Sequence, residues 1–166
     1  YSPWHWLTPS EQNTWATAIF IGAAVTDAFD GWLARKLRQT SAFGAFLDPV
    51  ADKLMVAAAL VILVQLGRVD AIVAFIIIGR EIAISALREW MAKIGAARSI
   101  AVSFIGKLKT SAQMVSIPML LFHAKLGGID FHRIGTWLIY VAAVLTLWSM
   151  IYYLRKAWPE ISARVR

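Results

Sequence analysis

Residues 27–52 read DAFDGWLARKLRQTSAFGAFLDPVAD, and four of the chain's six aspartates fall inside this stretch: Asp27, Asp30, Asp48 and Asp52. Residues three or four apart share a helix face, so Asp27 and Asp30 point together, as do Asp48 and Asp52. The segment between the pairs is short, and the second helix is expected to run back antiparallel to the first. If the two faces meet, four carboxylates surround one volume. Carboxylates in apolar sequence are costly to bury unless paired or bound to a cation, and four together repel one another. Two hard divalent cations, magnesium or manganese, bridged about 3.5–4 Å apart would resolve both problems. The alternative is a set of buried ion pairs with Arg35, Lys36 or Lys53, but structural pairs do not require four acids at matched helical spacing.

Outward from this hairpin the chain is apolar. Of its 166 residues 59% are hydrophobic and 16% charged, which is unlike a soluble domain and points to life in lipid. The absence of cysteine excludes disulfides and thiolate metal sites, leaving oxygen and imidazole as ligands. The net charge of +7 is what basic loops facing anionic lipid produce, so nucleic acid is not an expected partner. Mostly apolar runs long enough to span a bilayer cover residues 12–37, 47–66, 70–95, 101–123 and 131–156. The expected fold is therefore all-α, a polytopic transmembrane bundle of five spans, with residues 1–166 forming one domain. Tyr1 to Trp15 lack the basic flank of a signal peptide.

Lysine and arginine set the orientation. Twelve fall after the first, third and fifth spans, including Arg35, Lys36, Arg38, Arg88, Lys107, Lys109 and Arg155, against Arg68, Lys125 and Arg133 on the other side. The acidic hairpin thus opens to the cytoplasm and Tyr1 lies outside. Tryptophans near the span ends, among them Trp15, Trp137 and Trp158, fit an interfacial belt. His5, His123 and His132 read as isolated loop or interface residues. Asp70 and Asp130 read as helix N-caps, and Pro118 as a kink in the fourth span.

The pattern Asp27-x2-Asp30-Gly31-x2-Ala34-Arg35-x8-Gly44-x3-Asp48-x3-Asp52 resembles the signature of the CDP-alcohol phosphotransferase family at every fixed position. Eight fixed residues at fixed gaps arise by chance about once in 10¹⁰ starting positions. The resemblance implies a six-helix membrane enzyme, usually a homodimer. In it Asp27, Asp30, Asp48 and Asp52 hold two divalent cations, Asp52 also acts as base, and Asp48 shares the catalytic work. Asp27, Gly31, Arg35 and Ser41 would contact the CDP-activated lipid. Only five spans are counted, so the family's first helix, with the loop that helps hold the cytidine, is expected to be missing from this chain.

The second half narrows the acceptor. Arg80-Glu81-Ile82-x-Ile84-Ser85-Ala86-Leu87-Arg88-Glu89-Trp90 and Gly106-Lys107-x-Lys109-Thr110-x2-Gln113 resemble the bacterial phosphatidylglycerophosphate synthase branch of that family. An acceptor that carries its own phosphate needs cations beside the metal site, and Arg80, Arg88, Lys107 and Lys109 supply them from two neighbouring helices. Lys107 and Lys109 also lie near a helix start, where backbone amides favour phosphate. Arg80 follows the apolar run from Ala71 to Gly79 and should need a partner at that depth. Glu81 reads as an orienting group.

The expected reaction is transfer of the phosphatidyl group from CDP-diacylglycerol to glycerol 3-phosphate, giving phosphatidylglycerol phosphate and CMP at a bacterial inner membrane. Inositol phosphate, serine or phosphatidylglycerol are the rival acceptors. A cation carrier or a purely structural membrane subunit are the non-enzymatic rivals. Against a carrier, the acids crowd toward one end of the bilayer and no acidic relay continues through the later spans.

Overall fold

The computed structural model describes residues 7–37, 42–95 and 104–165. They form five helices, α1 (Pro9–Leu37), α2 (Ala42–Gln65), α3 (Ala71–Lys93), α4 (Phe104–Phe122) and α5 (Phe131–Val165), and a hairpin of two-residue strands, β1 (Lys125–Leu126) with β2 (Ile129–Asp130). Each expected span corresponds to one helix. The ends differ where an apolar run and a helix are different things. α2 begins at Ala42, before the apolar run at 47, and α5 continues to Val165 through Arg155, Lys156 and Pro159. Backbone hydrogen bonding carries a helix on past the point where an apolar run stops. Among the described residues only Phe131–Pro159 of α5 is by itself long and apolar enough to cross a membrane.

Local signals account for the helix ends. At the start of α1, the Thr8 amide donates to Glu11 Oε2 at 2.7 Å and the Glu11 amide returns a bond to Thr8 Oγ1 at 3.4 Å. This is a capping box with proline at the first helical position. The exchange holds the Glu11 carboxyl below its ordinary pKa. Asp70 caps α3 as expected, accepting from the Ile72 amide at 2.7 Å. Asp130 accepts from the Arg133 amide at 3.0 Å at the start of α5. Between α4 and α5, Gly127 and Gly128 both have positive φ, as a tight two-residue hairpin turn requires, and Lys125 faces Asp130 across it. Pro118 lies inside α4, which continues past it to Phe122.

Helix α5 packs along α4 and α3, α1 packs on α4 and α2, and α2 also meets α3 and α4. The main core joins Phe20 of α1, Leu60 and Leu63 of α2, Ile77 of α3, Ile117 and Leu120 of α4, and Ile139 of α5. A second cluster of Ile84, Met91, Tyr153 and Ala157 closes α3 against the C-terminal half of α5. Gly135 lets α4 and α5 approach: a Cβ there would stand 2.9 Å from Leu120 Cγ and 3.2 Å from the Leu120 backbone nitrogen. Small residues at such crossings let two helix backbones come close. At the other junction Arg68, just after α2, donates to the carbonyls of Leu120 and Leu121 at 3.2 and 2.8 Å and to Asn13 Oδ1 at 2.8 Å. One guanidinium thus satisfies two carbonyls at the end of α4 and ties α1 to them.

The outer surface is apolar on most helices. Trp15, Ile19, Val25, Ile72, Phe75, Trp137, Val144 and Trp148 are each more than half exposed. Inside, the polar residues Arg80, Lys109, Gln113, Ser116, Thr146 and Ser149 are buried.

Candidate active site

On α1, Asp27 and Asp30 sit one turn apart, and on α2 Asp52 faces them. The three line one open cleft of about 460 Å³ together with Ala23, Thr26, Ala51 and Met55. Asp27 and Asp30 are exposed and Asp52 is half-buried. Helical spacing puts Asp27 and Asp30 on one side of this cleft, and the small residues Ala23 and Ala51 line it with them. Gly31 and Arg35 lie on α1, Asp48 on α2 one turn before Asp52, and Lys107 in the first turns of α4. Their side chains fall outside the description, and Ser41 lies outside the described residues altogether. Among the described residues, no three His, Asp or Glu side chains stand close enough together to hold a metal ion.

Asp52 also borders a second, smaller cavity of about 60 Å³, shared with Lys53, Val56, Glu81, Thr110, Gln113 and Met114. Glu81 is the hinge of the polar interior beyond it. Its Oε1 pairs with Lys109 of α4, which is 1% exposed, and with Arg80 Nη1 at 3.3 Å. Arg80 Nη2 donates to Ser149 Oγ of α5 at 3.1 Å, and Ser149 in turn donates to the Thr146 carbonyl at 2.9 Å. Arg88 Nη2 donates to the Tyr153 hydroxyl at 3.2 Å, and the Arg80 and Arg88 guanidinium carbons lie 5.7 and 5.2 Å from the centre of the Tyr153 ring. Three of the four cations expected to receive a phosphate thus converge from α3 and α4 on Glu81 and Tyr153.

That convergence refines the reading of two residues. Arg80 needs a partner at its depth and has two, Glu81 and Ser149. Lys109 is no solvated fringe but a buried cation whose partner, Glu81, lies 28 residues earlier. The network leaves donors over: Arg80 Nε and Arg88 Nε are buried with no hydrogen-bond partner among the described residues. Tyr153, fully buried beneath both guanidiniums, is a residue that sequence reasoning missed. Its signal was only an aromatic residue in an apolar helix, which does not separate a site floor from ordinary packing.

The histidines behave differently from expectation. His123 and His132, read as isolated, meet with ring centroids 4.3 Å apart at the end of the bundle near Asp130. The β1–β2 hairpin folds α5 back onto the end of α4 and so brings them together.

The chain is 53% identical over 145 residues to a protein of Yersinia enterocolitica, covering 86% of this chain and 78% of that one. It is 55% identical over 145 residues to one of Pectobacterium atrosepticum, with the same coverage. It is 51% identical over 148 residues to one of Shigella flexneri, covering 88% and 80%. All three are named CDP-diacylglycerol–glycerol-3-phosphate 3-phosphatidyltransferase. Residues 3–148, which include the acidic hairpin and the Arg80–Lys109 cluster, match the pattern of CDP-alcohol phosphatidyltransferases, and the chain belongs to that family.

Proposed function

We propose that this chain transfers the phosphatidyl group of CDP-diacylglycerol to glycerol 3-phosphate, releasing CMP and forming phosphatidylglycerol phosphate. The relatives' shared name supports donor and acceptor alike. The observation that carries the reading is the position of Asp52, which borders both the acidic cleft and the cavity lined by Glu81, the partner of Arg80 and Lys109. Donor and acceptor then meet at one carboxylate.

The donor chemistry of the cleft suits hard cations. Asp27 and Asp30 of α1 and Asp52 of α2 bring carboxylate oxygens to one cleft, and Asp48 lies on the same helix as Asp52, a turn away. These four would hold two magnesium or manganese ions, which when bound would neutralise charge on the pyrophosphate. Gly31, Arg35 and Ser41 complete the donor side in this proposal. Arg35 would grip a phosphate with two parallel N–H donors. On the acceptor side, Arg80 and Arg88 receive the phosphate of glycerol 3-phosphate through the donors their network leaves over, assisted by Lys107. Lys109 and Glu81 hold the guanidinium of Arg80 in place.

Asp52 takes the proton from the primary hydroxyl of the acceptor. The new bond joins that oxygen to the β-phosphorus, the bond from the β-phosphorus to the bridging oxygen breaks, and CMP departs with the bridging oxygen. Helices α1 and α2 contribute alignment, which in such transfers is a large part of catalysis.

The same proposal sets the chain in a bacterial inner membrane with all five helices spanning and the acidic end facing the cytoplasm. The outward-facing Trp15, Phe75, Val144 and Trp148 support it, as does the bias of basic residues toward one side. Homodimerisation is part of the proposal. An acceptor panel tests the substrate assignment: CMP release from CDP-diacylglycerol in detergent with magnesium, offering glycerol 3-phosphate, inositol phosphate, serine, phosphatidylglycerol or no acceptor. Release confined to glycerol 3-phosphate is expected. Preference for any other acceptor would overturn the assignment.

A further inference from the structure

The cavity between Asp52 and Glu81 contains a buried group that the proposed reaction has not yet used. Gln113 of α4 is 4% exposed, yet its Oε1 has no hydrogen-bond partner among the described residues. Its backbone carbonyl, by contrast, accepts from Ser116 Oγ at 3.0 Å. Buried polar atoms are nearly always partnered, because their lost hydration is otherwise not repaid. An orphaned carbonyl oxygen on a cavity wall takes its hydrogen bond from whatever enters.

What can enter is narrow. Gln113, Asp52 and Glu81 bring hydrogen-bond acceptors to the cavity, Lys53 and Thr110 bring donors, and Val56 and Met114 make the remaining wall apolar. The cavity therefore suits a hydroxyl group, which both donates and accepts, on a short carbon frame. It is small, about 60 Å³, against about 460 Å³ for the acidic cleft.

We propose that Gln113 Oε1 accepts a hydrogen bond from the acceptor's secondary hydroxyl while the adjacent primary hydroxyl reacts at Asp52. Gln113 is then the residue that makes the enzyme require a vicinal diol. The assignment rests on the glycerol 3-phosphate reading above. A site built to pair a substrate hydroxyl rejects the analogue lacking it far more strongly than an apolar site could, because its own polar atom is left unpaired.

The test compares glycerol 3-phosphate with 3-hydroxypropyl phosphate, which lacks only the secondary hydroxyl, in the full chain. Wild-type kcat/KM should favour glycerol 3-phosphate by at least about 100-fold. Gln113→Met, similar in length but without the carbonyl, should bring the two within about fivefold of each other. Gln113→Asn, which withdraws the amide by one carbon, should also narrow the ratio, and it provides the reading should the methionine variant fail to fold. A wild type that uses both compounds equally, or folded variants that keep the wild-type ratio, would overturn the role of Gln113 alone. No turnover of glycerol 3-phosphate by the wild type would instead overturn the function on which it rests.

Discussion

Glu81 on α3 is paired with Lys109 on α4, a lysine only 1% exposed, and the same carboxylate oxygen holds Arg80. One acid therefore compensates two buried cations, and it does so beside the cavity that Asp52 borders. Breaking a buried pair by removing one member is costly because the other charge is left without its partner. Glu81→Ala should destabilise the fold by on the order of 3 kcal/mol, measured as a shifted unfolding midpoint in detergent. Adding Lys109→Met to Glu81→Ala should recover part of that loss. Strictly additive effects would mean that the pair contributes nothing to stability.

The crossing of α4 and α5 at Gly135 gives a second expectation. A methyl group there meets Leu120 side chain and backbone within 3.2 Å, whereas at Gly79 of α3 nothing lies within 4 Å. Gly135→Ala should cost about 1–3 kcal/mol by overpacking. Gly79→Ala should be neutral or stabilise by up to about 1 kcal/mol through helix propensity. Thermal unfolding of the two variants in parallel checks both signs.

Arg68 satisfies two carbonyls at the end of α4 and one side-chain amide on α1. Arg68→Ala should lower stability by roughly 2–4 kcal/mol, since hydrogen bonds from a charged donor are among the stronger ones. Arg68→Lys should not restore it, because an ammonium lacks the planar fork. Turnover per folded molecule should be unchanged in both variants. Asn13, which marks this end, lies 14 residues from Asp27 along α1, or about 21 Å at 1.5 Å per residue.

Asp130 lies outside the helices' apolar stretches, and the Arg133 amide holds its pKa below the ordinary aspartate value. The stabilisation from this cap is present in full above the unfolded value of about 3.9. It is lost as the pH falls through that value and then through the lower one of the folded state. Acid unfolding of Asp130→Asn should therefore be less steep over this range than that of the wild type. An unchanged slope would contradict the assigned cap.

The sequence revealed most where chemistry is concentrated and least where it depends on contacts between distant residues. Helix existence follows from long apolar runs, and the shared face of Asp27 and Asp30 follows from helical spacing. The caps at Asp70 and Asp130 follow from local hydrogen-bonding chemistry. The burial of Lys109 does not, because it depends on Glu81 arriving from another helix. Nor does the orphaned Gln113 carbonyl, or Tyr153 beneath two arginines, since polar and aromatic residues in an apolar helix carry the same signal whether they pack or bind. The meeting of His123 and His132 was equally hidden, because the hairpin from Lys125 to Asp130 decides it.

The central claim, that the acidic cleft performs the transfer, is tested most directly by the formation of phosphatidylglycerol phosphate from CDP-diacylglycerol and glycerol 3-phosphate, comparing wild type with Asp52→Asn. The wild type should yield one CMP per product lipid, lose activity to a chelator and regain it with magnesium or manganese, while folded Asp52→Asn should be about 10²–10⁴-fold slower. A folded Asp52→Asn variant as active as the wild type, or a wild type indifferent to chelator, would contradict it.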